Sequence, residues 1–87
     1  MATHQDAMKR TRQNEKRRAR NRHYRTKLRN QTKRVREAVA AGDYAAAQEQ
    51  FRAAVSIIQS VARRGVIHRN QAARRISRLS AAVKTLA

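Results

Sequence analysis

Leu28 is the only Leu, Ile, Val or Phe in the first 34 residues. A segment with so little to bury can add little to a core, whatever its local geometry. Most of the core must come from the remainder, and that remainder is modest. Leu, Ile, Val and Phe number 14 in 87 residues, while Ala supplies 17, so about half of the hydrophobic fraction is a residue that buries little. Charge runs the other way. Residues 1–36 hold 14 Lys and Arg against 2 acids, and residues 37–87 hold 8 against 3, within a net charge of +17. A low aliphatic share beside so high a charge sits at the border of independent folding.

Punctuation is sparse. There is no Pro, and the only two glycines are Gly42 in Ala40-Ala41-Gly42-Asp43-Tyr44 and Gly65 in Arg63-Arg64-Gly65-Val66-Ile67. They divide the chain into three helical readings. In the first, Tyr24, Leu28, Val35 and Val39 fall on one face at spacings of four and seven, with Thr32 and Ala38 between them. Gly42 suits the left-handed close of that helix, and Asp43 suits the N-cap of the next. The second face is Tyr44, Ala47, Phe51, Val55 or Ala54, Ile58 and Val61. Arg63 and Arg64 fit the negative end of its dipole, and Gly65 ends it. The third helix starts near His68 to Asn70, with Asn70 as its expected N-cap, and its face is Ala72, Ile76, Leu79, Val83 and Leu86. Phe51, Ile58, Ile76 and Leu79 are the expected packing centre. No period-two alternation of β-branched residues competes.

Short connections make three amphipathic helices antiparallel neighbours. The reading is therefore one all-α domain over residues 1–87. An antiparallel three-helix bundle occupies 24–87, with helices at about 8–41, 44–64 and 69–86, and a basic N-terminal arm, 1–23, projects beyond it. From Lys9 to His23 the arm is polar or basic nearly all round, and a helix of that kind needs outside support. Like charges one turn apart, such as Lys16–Arg20 and Arg18–Arg22, oppose it by some tenths of a kcal/mol each. The arm is expected to be disordered alone and helical against anionic charge.

The balance of charge points to a polyanion. A merely solvated surface mixes both signs, and this chain does not. An anionic membrane would need bulky apolar residues opposite the charges of 9–23, and there are none. No apolar run approaches the about 20 residues of a membrane span, and none after the N-terminus has the character of a secretory signal. An organellar transit peptide is set aside because residues 9–23 lack an apolar face. Nucleic acid remains. At about 100° per residue, Arg22, Arg29, Lys33 and Arg36 form a stripe beside the first apolar face, with Lys27 and Arg34 on its other flank. Arg74 and Arg78 point away from Ile76 and Val83. Arg outnumbers Lys 17 to 5, which favours planar, bidentate phosphate contacts and leans toward structured RNA. Tyr24, Tyr44 and Phe51 all fall on apolar faces, so no aromatic platform reads single strands. Binding should be to phosphates, with shape rather than sequence being recognised.

Other classes fail on particular residues. A helix-turn-helix with its turn at Gly65 wants a small residue at 61 and a buried aliphatic at 71, where this chain has Val61 and Gln71. A basic zipper would be broken by Gly42-Asp43. A nucleoid-type, non-specific DNA binder is the alternative that survives. There is no Cys, so thiolate metal sites and disulfides are excluded. His4, His23 and His68 have no metal-ligand spacing, and Ser56, Ser60, Ser77 and Ser80 have no matching His–acid set, so no catalytic residue, metal, cofactor or small-molecule substrate is expected.

One run of residues resembles a known family. Gly65-Val66-Ile67-His68-Arg69-Asn70-Gln71-Ala72-Ala73-Arg74-Arg75, with Arg64 before it and Leu79 after, is similar to the signature of bacterial ribosomal small-subunit protein twenty, the S-twenty family. Lys33-Arg34-Val35, Ala38, Ala41-Gly42-Asp43 and Ala46-Ala47 match in order and spacing, as do Ala7 to Arg10 and Asn21. The chain departs from the pattern at Arg29-Asn30-Gln31-Thr32, where an aliphatic residue is usual, leaving the middle of the first helix less apolar. The resemblance implies a three-helix bundle with an extended first helix. It implies a cytoplasmic, ribosome-bound structural protein that binds small-subunit ribosomal RNA early in assembly, in the 5′ domain and at the long helix of the 3′ minor domain, beside other small-subunit proteins. The candidate RNA-binding residues are Lys9, Arg10, Arg12, Lys16, Arg17, Arg18, Arg20, Asn21, Arg22, Arg25, Arg29, Lys33 and Arg34 in the first helix. Arg63, Arg64, His68, Arg69 and Asn70 join them around the Gly65 turn, and Arg74, Arg75 and Arg78 in the third helix. At the turn two roles combine: Gly65 caps and Ile67 packs, while the basic side chains crowd a helix terminus whose N–H groups also favour phosphate.

Overall fold

The computed structural model describes residues 3–87 and contains three α-helices, α1 (His4–Ala40), α2 (Tyr44–Arg63) and α3 (Arg69–Lys84). They form the bundle with an extended first helix that the periodicity predicts. The molecule measures 60 × 20 × 14 Å, and the long dimension is that of α1, whose 37 residues rise about 55 Å. Helix α2 packs along both neighbours, while α1 and α3 meet least.

Helix α1 begins earlier than expected, at His4 rather than about residue 8. The cause is a capping box: Asp6 N donates to Thr3 Oγ1 at 3.2 Å, and Thr3 N donates to Asp6 Oδ2 at 3.3 Å. Where disorder is expected of the free arm, the structure has unbroken helix. Residues 3–20 are all exposed, however, so nothing else in the described chain packs on them. Met1 and Ala2 of the predicted arm lie outside the described residues.

Both glycines close their helices in the same way. Gly42 has φ +71° and Gly65 φ +77°. Gly42 N donates to Val39 O and Asp43 N to Ala38 O; Gly65 N donates to Ala62 O and Val66 N to Val61 O. This paired pattern satisfies the orphan carbonyls of a helix end. At the second turn the accompanying apolar contact joins the core, since Val61 and Val66 are both buried. Asp43 then caps α2, its Oδ1 accepting from Ala46 N at 3.1 Å. The cap of α3 corrects the sequence reading. His68, not Asn70, is the N-cap, and its Nδ1 accepts from Asn70 N at 3.1 Å.

The core comprises Leu28, Val35, Ala47, Ala54, Ile58, Val61, Val66, Ile67, Ala72, Leu79 and Val83. Ala47 and Ala54 are fully covered, so the backbone of α2 can approach its neighbours closely. Ala54 takes the core position, and Val55 is half-buried. The predicted centre shifts as well. Ile58 and Leu79 are buried, but Phe51 and Ile76 are half-buried and pack against the margin. In α1 the surprise is Gln31, buried one turn after Leu28 where an aliphatic would be usual.

Candidate nucleic-acid interface

The predicted basic residues divide by where the bundle holds them. Lys9, Arg12 and Lys16 share one shallow face of the arm with Met8. Arg18, Asn21, Arg22, Arg25 and Arg29 line another, further along the same helix. Arg10, Arg17 and Arg20 are exposed and belong to neither group. Arg34 lies on the α2 side, its Nη1 3.4 Å from Gln31 Oε1, apart from the stripe of Arg29, Lys33 and Arg36.

Those stripe residues face α3 across an open cleft. Arg25, Arg29, Lys33 and Arg36 line one wall, and Gln71 and Arg75 the other, over a floor that includes the buried Leu28 and Ile67. The cleft continues along α3, where Arg36, His68, Arg74, Arg75 and Arg78 come together. Arg36 was absent from the candidate set although it lies on the predicted stripe. Gln71 was missed too; its signal was its place one turn before Arg75. Arg74 and Arg78, read as pointing away from Ile76 and Val83, thus join α1 cations at one groove.

Around the Gly65 turn, two contacts fix the connection to α1, and a third orients the Tyr24 ring within α1. Arg64 stacks over Tyr24, its guanidinium carbon 4.7 Å from the ring centroid. His23 meets the same ring edge-on at 5.3 Å between centroids. Arg25 Nη2 donates to Val66 O at 3.5 Å. The position where the arm leaves the bundle is therefore clasped by the turn that the family signature spans. Arg63, Arg69 and Asn70 are exposed beside it.

Electrostatically the surface is almost uncompensated. Among the described residues one ion pair occurs, Lys33 Nζ to Glu37 Oε1 at 3.9 Å, and both side chains are mostly exposed. The described residues include no group of His and acids that could hold a metal. None of the described helices is long and apolar enough to cross a membrane.

Comparison with known proteins decides the family. The family model of ribosomal protein S20 matches residues 2–84. The chain belongs to the ribosomal protein S20 family. A small ribosomal subunit protein bS20 of Geotalea uraniireducens is 54% identical over 86 residues, covering 99% of each chain. That of Nitrosomonas europaea is 55% identical over 86 residues with the same coverage. That of an Azoarcus species is 53% identical over 87 residues, covering 100% of this chain and 99% of its relative. S20 proteins are structural ribosomal proteins, not enzymes.

Proposed function

We propose that this chain is a structural component of the bacterial small ribosomal subunit that binds small-subunit ribosomal RNA directly. It stabilises the folding and assembly of that RNA through phosphate contacts. Family membership supports the ribosomal setting. The observation that carries direct RNA binding is the unbalanced cationic surface, with 14 basic residues before position 37 and one long ion pair among the described residues. Uncompensated charge of this density self-repels, and phosphates relieve it.

In this reading the work is divided. The bundle provides a rigid seat, and the arm, 1–23, runs between converging RNA helices and neutralises their phosphates. Its ordering is coupled to that event. The 5′ domain and the long helix of the 3′ minor domain are the regions that the resemblance implies, with other small-subunit proteins as neighbours and a ribosome-bound, cytoplasmic location.

The test is crosslinking in cells followed by sequencing of the attached nucleic acid, joined to sedimentation of the protein. Recovery of small-subunit ribosomal RNA, cosedimentation with small subunits and release by high salt are expected. Recovery of DNA instead would establish the nucleoid-type alternative.

A further inference from the structure

The Gly65 turn holds an arginine whose placement charge alone does not explain. Arg64 is exposed, with Arg63 beside it in sequence, and Arg25 of α1 reaches the same turn. Among the described residues no acid pairs with it, since the one ion pair is Lys33 to Glu37. Repulsion among these cations favours a guanidinium turned out into water. That of Arg64 lies instead over the ring of Tyr24, 4.7 Å from its centroid. The electron-rich face of the ring attracts a cation where no carboxylate does, and a planar guanidinium stacks on it well.

Tyr24 stands at the point in α1 where tertiary support begins. Residues 3–20 are exposed, and the first buried side chain is Leu28. Between them only Asn21 and Tyr24 are half-buried, and Tyr24 is the one that packs against the core. Arg25 Nη2 reaches Val66 O only at 3.5 Å, so most of the hold falls on the ring. Without it α1 is anchored from Leu28, a full turn later, and the residues before Leu28 join the unsupported helix. Helix of that kind frays.

We infer that Arg64 and Tyr24 are positioning residues for RNA binding: Arg64 acts on Tyr24 rather than on phosphate, and the pair holds the turn of α1 from Asn21 to Arg25 on which the arm is built. This rests on the RNA-binding reading above and goes further. It takes one cation out of the phosphate-contacting set and gives an aromatic side chain a part in binding. With the clasp closed, RNA meets an arm whose first turn is already in place. With the clasp open, that turn must be ordered during binding, and affinity falls with the fraction of molecules that hold it.

The test uses the full chain, with arginine side chains labelled for magnetic resonance, and a transcript of the 5′ domain of bacterial small-subunit ribosomal RNA. The side-chain protons of Arg64, assigned by their loss in Arg64→Gln, should lie upfield of their usual position under the Tyr24 ring current, and stay there when the transcript is added. Tyr24→Leu and Arg64→Gln should each weaken binding about threefold, and the double variant no more than either. Tyr24→Phe keeps the ring face and should bind like the parent. Arg64→Gln should leave the salt slope unchanged, where a lost phosphate contact lowers it by about one unit. Melting curves identify any variant that is merely unfolded, and the Arg64 signals of the unsubstituted chain then decide. Arg64 signals that return to their usual position on RNA binding, a reduced slope for Arg64→Gln, or losses that multiply in the double variant overturn the positioning role and make Arg64 a phosphate contact. Parent-like affinity of Tyr24→Leu overturns the role of the clasp alone. Failure of the unsubstituted chain to bind the transcript, scored before any variant, overturns the broader reading.

Discussion

Gln31 Nε2 donates to both oxygens of Gln50, the backbone carbonyl and the side-chain amide, at 2.9 Å each. This polar clamp stands in the α1–α2 seam between the buried Leu28 and Val35. Gln31 Oε1 in turn accepts from Arg34 Nη1 at 3.4 Å. A residue that breaks the aliphatic pattern of the first helix is thus satisfied rather than stranded.

Gln31→Ala should lower stability by about 1–3 kcal/mol, since it removes both donors and leaves a void. Gln31→Leu should recover most of that loss, because an apolar side chain of similar size needs no partner. Urea melts of the two variants measure the difference. Equal losses would show that the clamp, and not the filling of space, holds this seam.

Ile58 has no exposed surface, whereas Phe51 is half-buried at the rim. Ile58→Ala should cost about 2–5 kcal/mol, comparable to the whole stability of so small a domain. Phe51→Ala should cost less, despite its larger side chain. A thermal melt in which Phe51→Ala was the more damaged variant would place the core centre at the rim instead.

The turn after α2 depends on two local devices. An added Cβ at Gly65 meets nothing within 4 Å, so the penalty of Gly65→Ala comes from its φ of +77° alone, about 1–2 kcal/mol. His68→Ala should cost about 0.5–2 kcal/mol by removing the cap of α3, and His68→Asn should restore it. Helicity followed during denaturation would report both.

Residues 4–20 have helical geometry and no tertiary support, so the amides of the arm should exchange quickly in the free protein. Addition of small-subunit ribosomal RNA should protect them. Deleting residues 1–23 should weaken RNA binding while residues 44–87 stay helical. Slow exchange across the arm without RNA would remove the coupling between folding and binding.

Affinity should fall linearly with salt on a log–log plot. If the arm and the Gly65 turn make about 8–10 phosphate contacts, the slope is about −6 to −9. Arg18→Ala and Arg22→Ala should each reduce it by about one unit, and act alike on different RNA sequences of the same shape. A flat response, or a loss confined to one base identity, would replace distributed phosphate binding with base readout.

Periodicity made the helices legible because Leu28, Val35, Ile58, Val61, Leu79 and Val83 recur at helical spacing, and all six are buried. The two turns were legible because few residues besides Gly tolerate positive φ. What a one-dimensional pattern could not carry was contact across helices. Gln31 reads as polar and hence exposed until Gln50 is beside it. Asn70 is the better N-cap by type, yet His68 holds the position because Val66 and Ile67 fix where the third helix can begin. For the candidate interface, the sign and the stripe on α1 were readable. The meeting of Arg36 with Gln71 and Arg75 depends on how α1 and α3 cross, which spacing within one helix does not encode.

Because α1 runs unbroken from His4 to Ala40, the arm, once helical, has no angular freedom of its own at its root. Its bearing is inherited from the packing of Leu28 and Val35 and from the grip of Arg64 on Tyr24. The arm acts as a lever whose phase is set inside the bundle. One residue inserted after Asn21 would turn every cation before it by about 100° and advance it about 1.5 Å. With a neutral residue inserted the net charge of the arm would be untouched, but its arginines would point in new directions. Spacing along this helix is therefore as much a part of the cationic surface as the charges it carries.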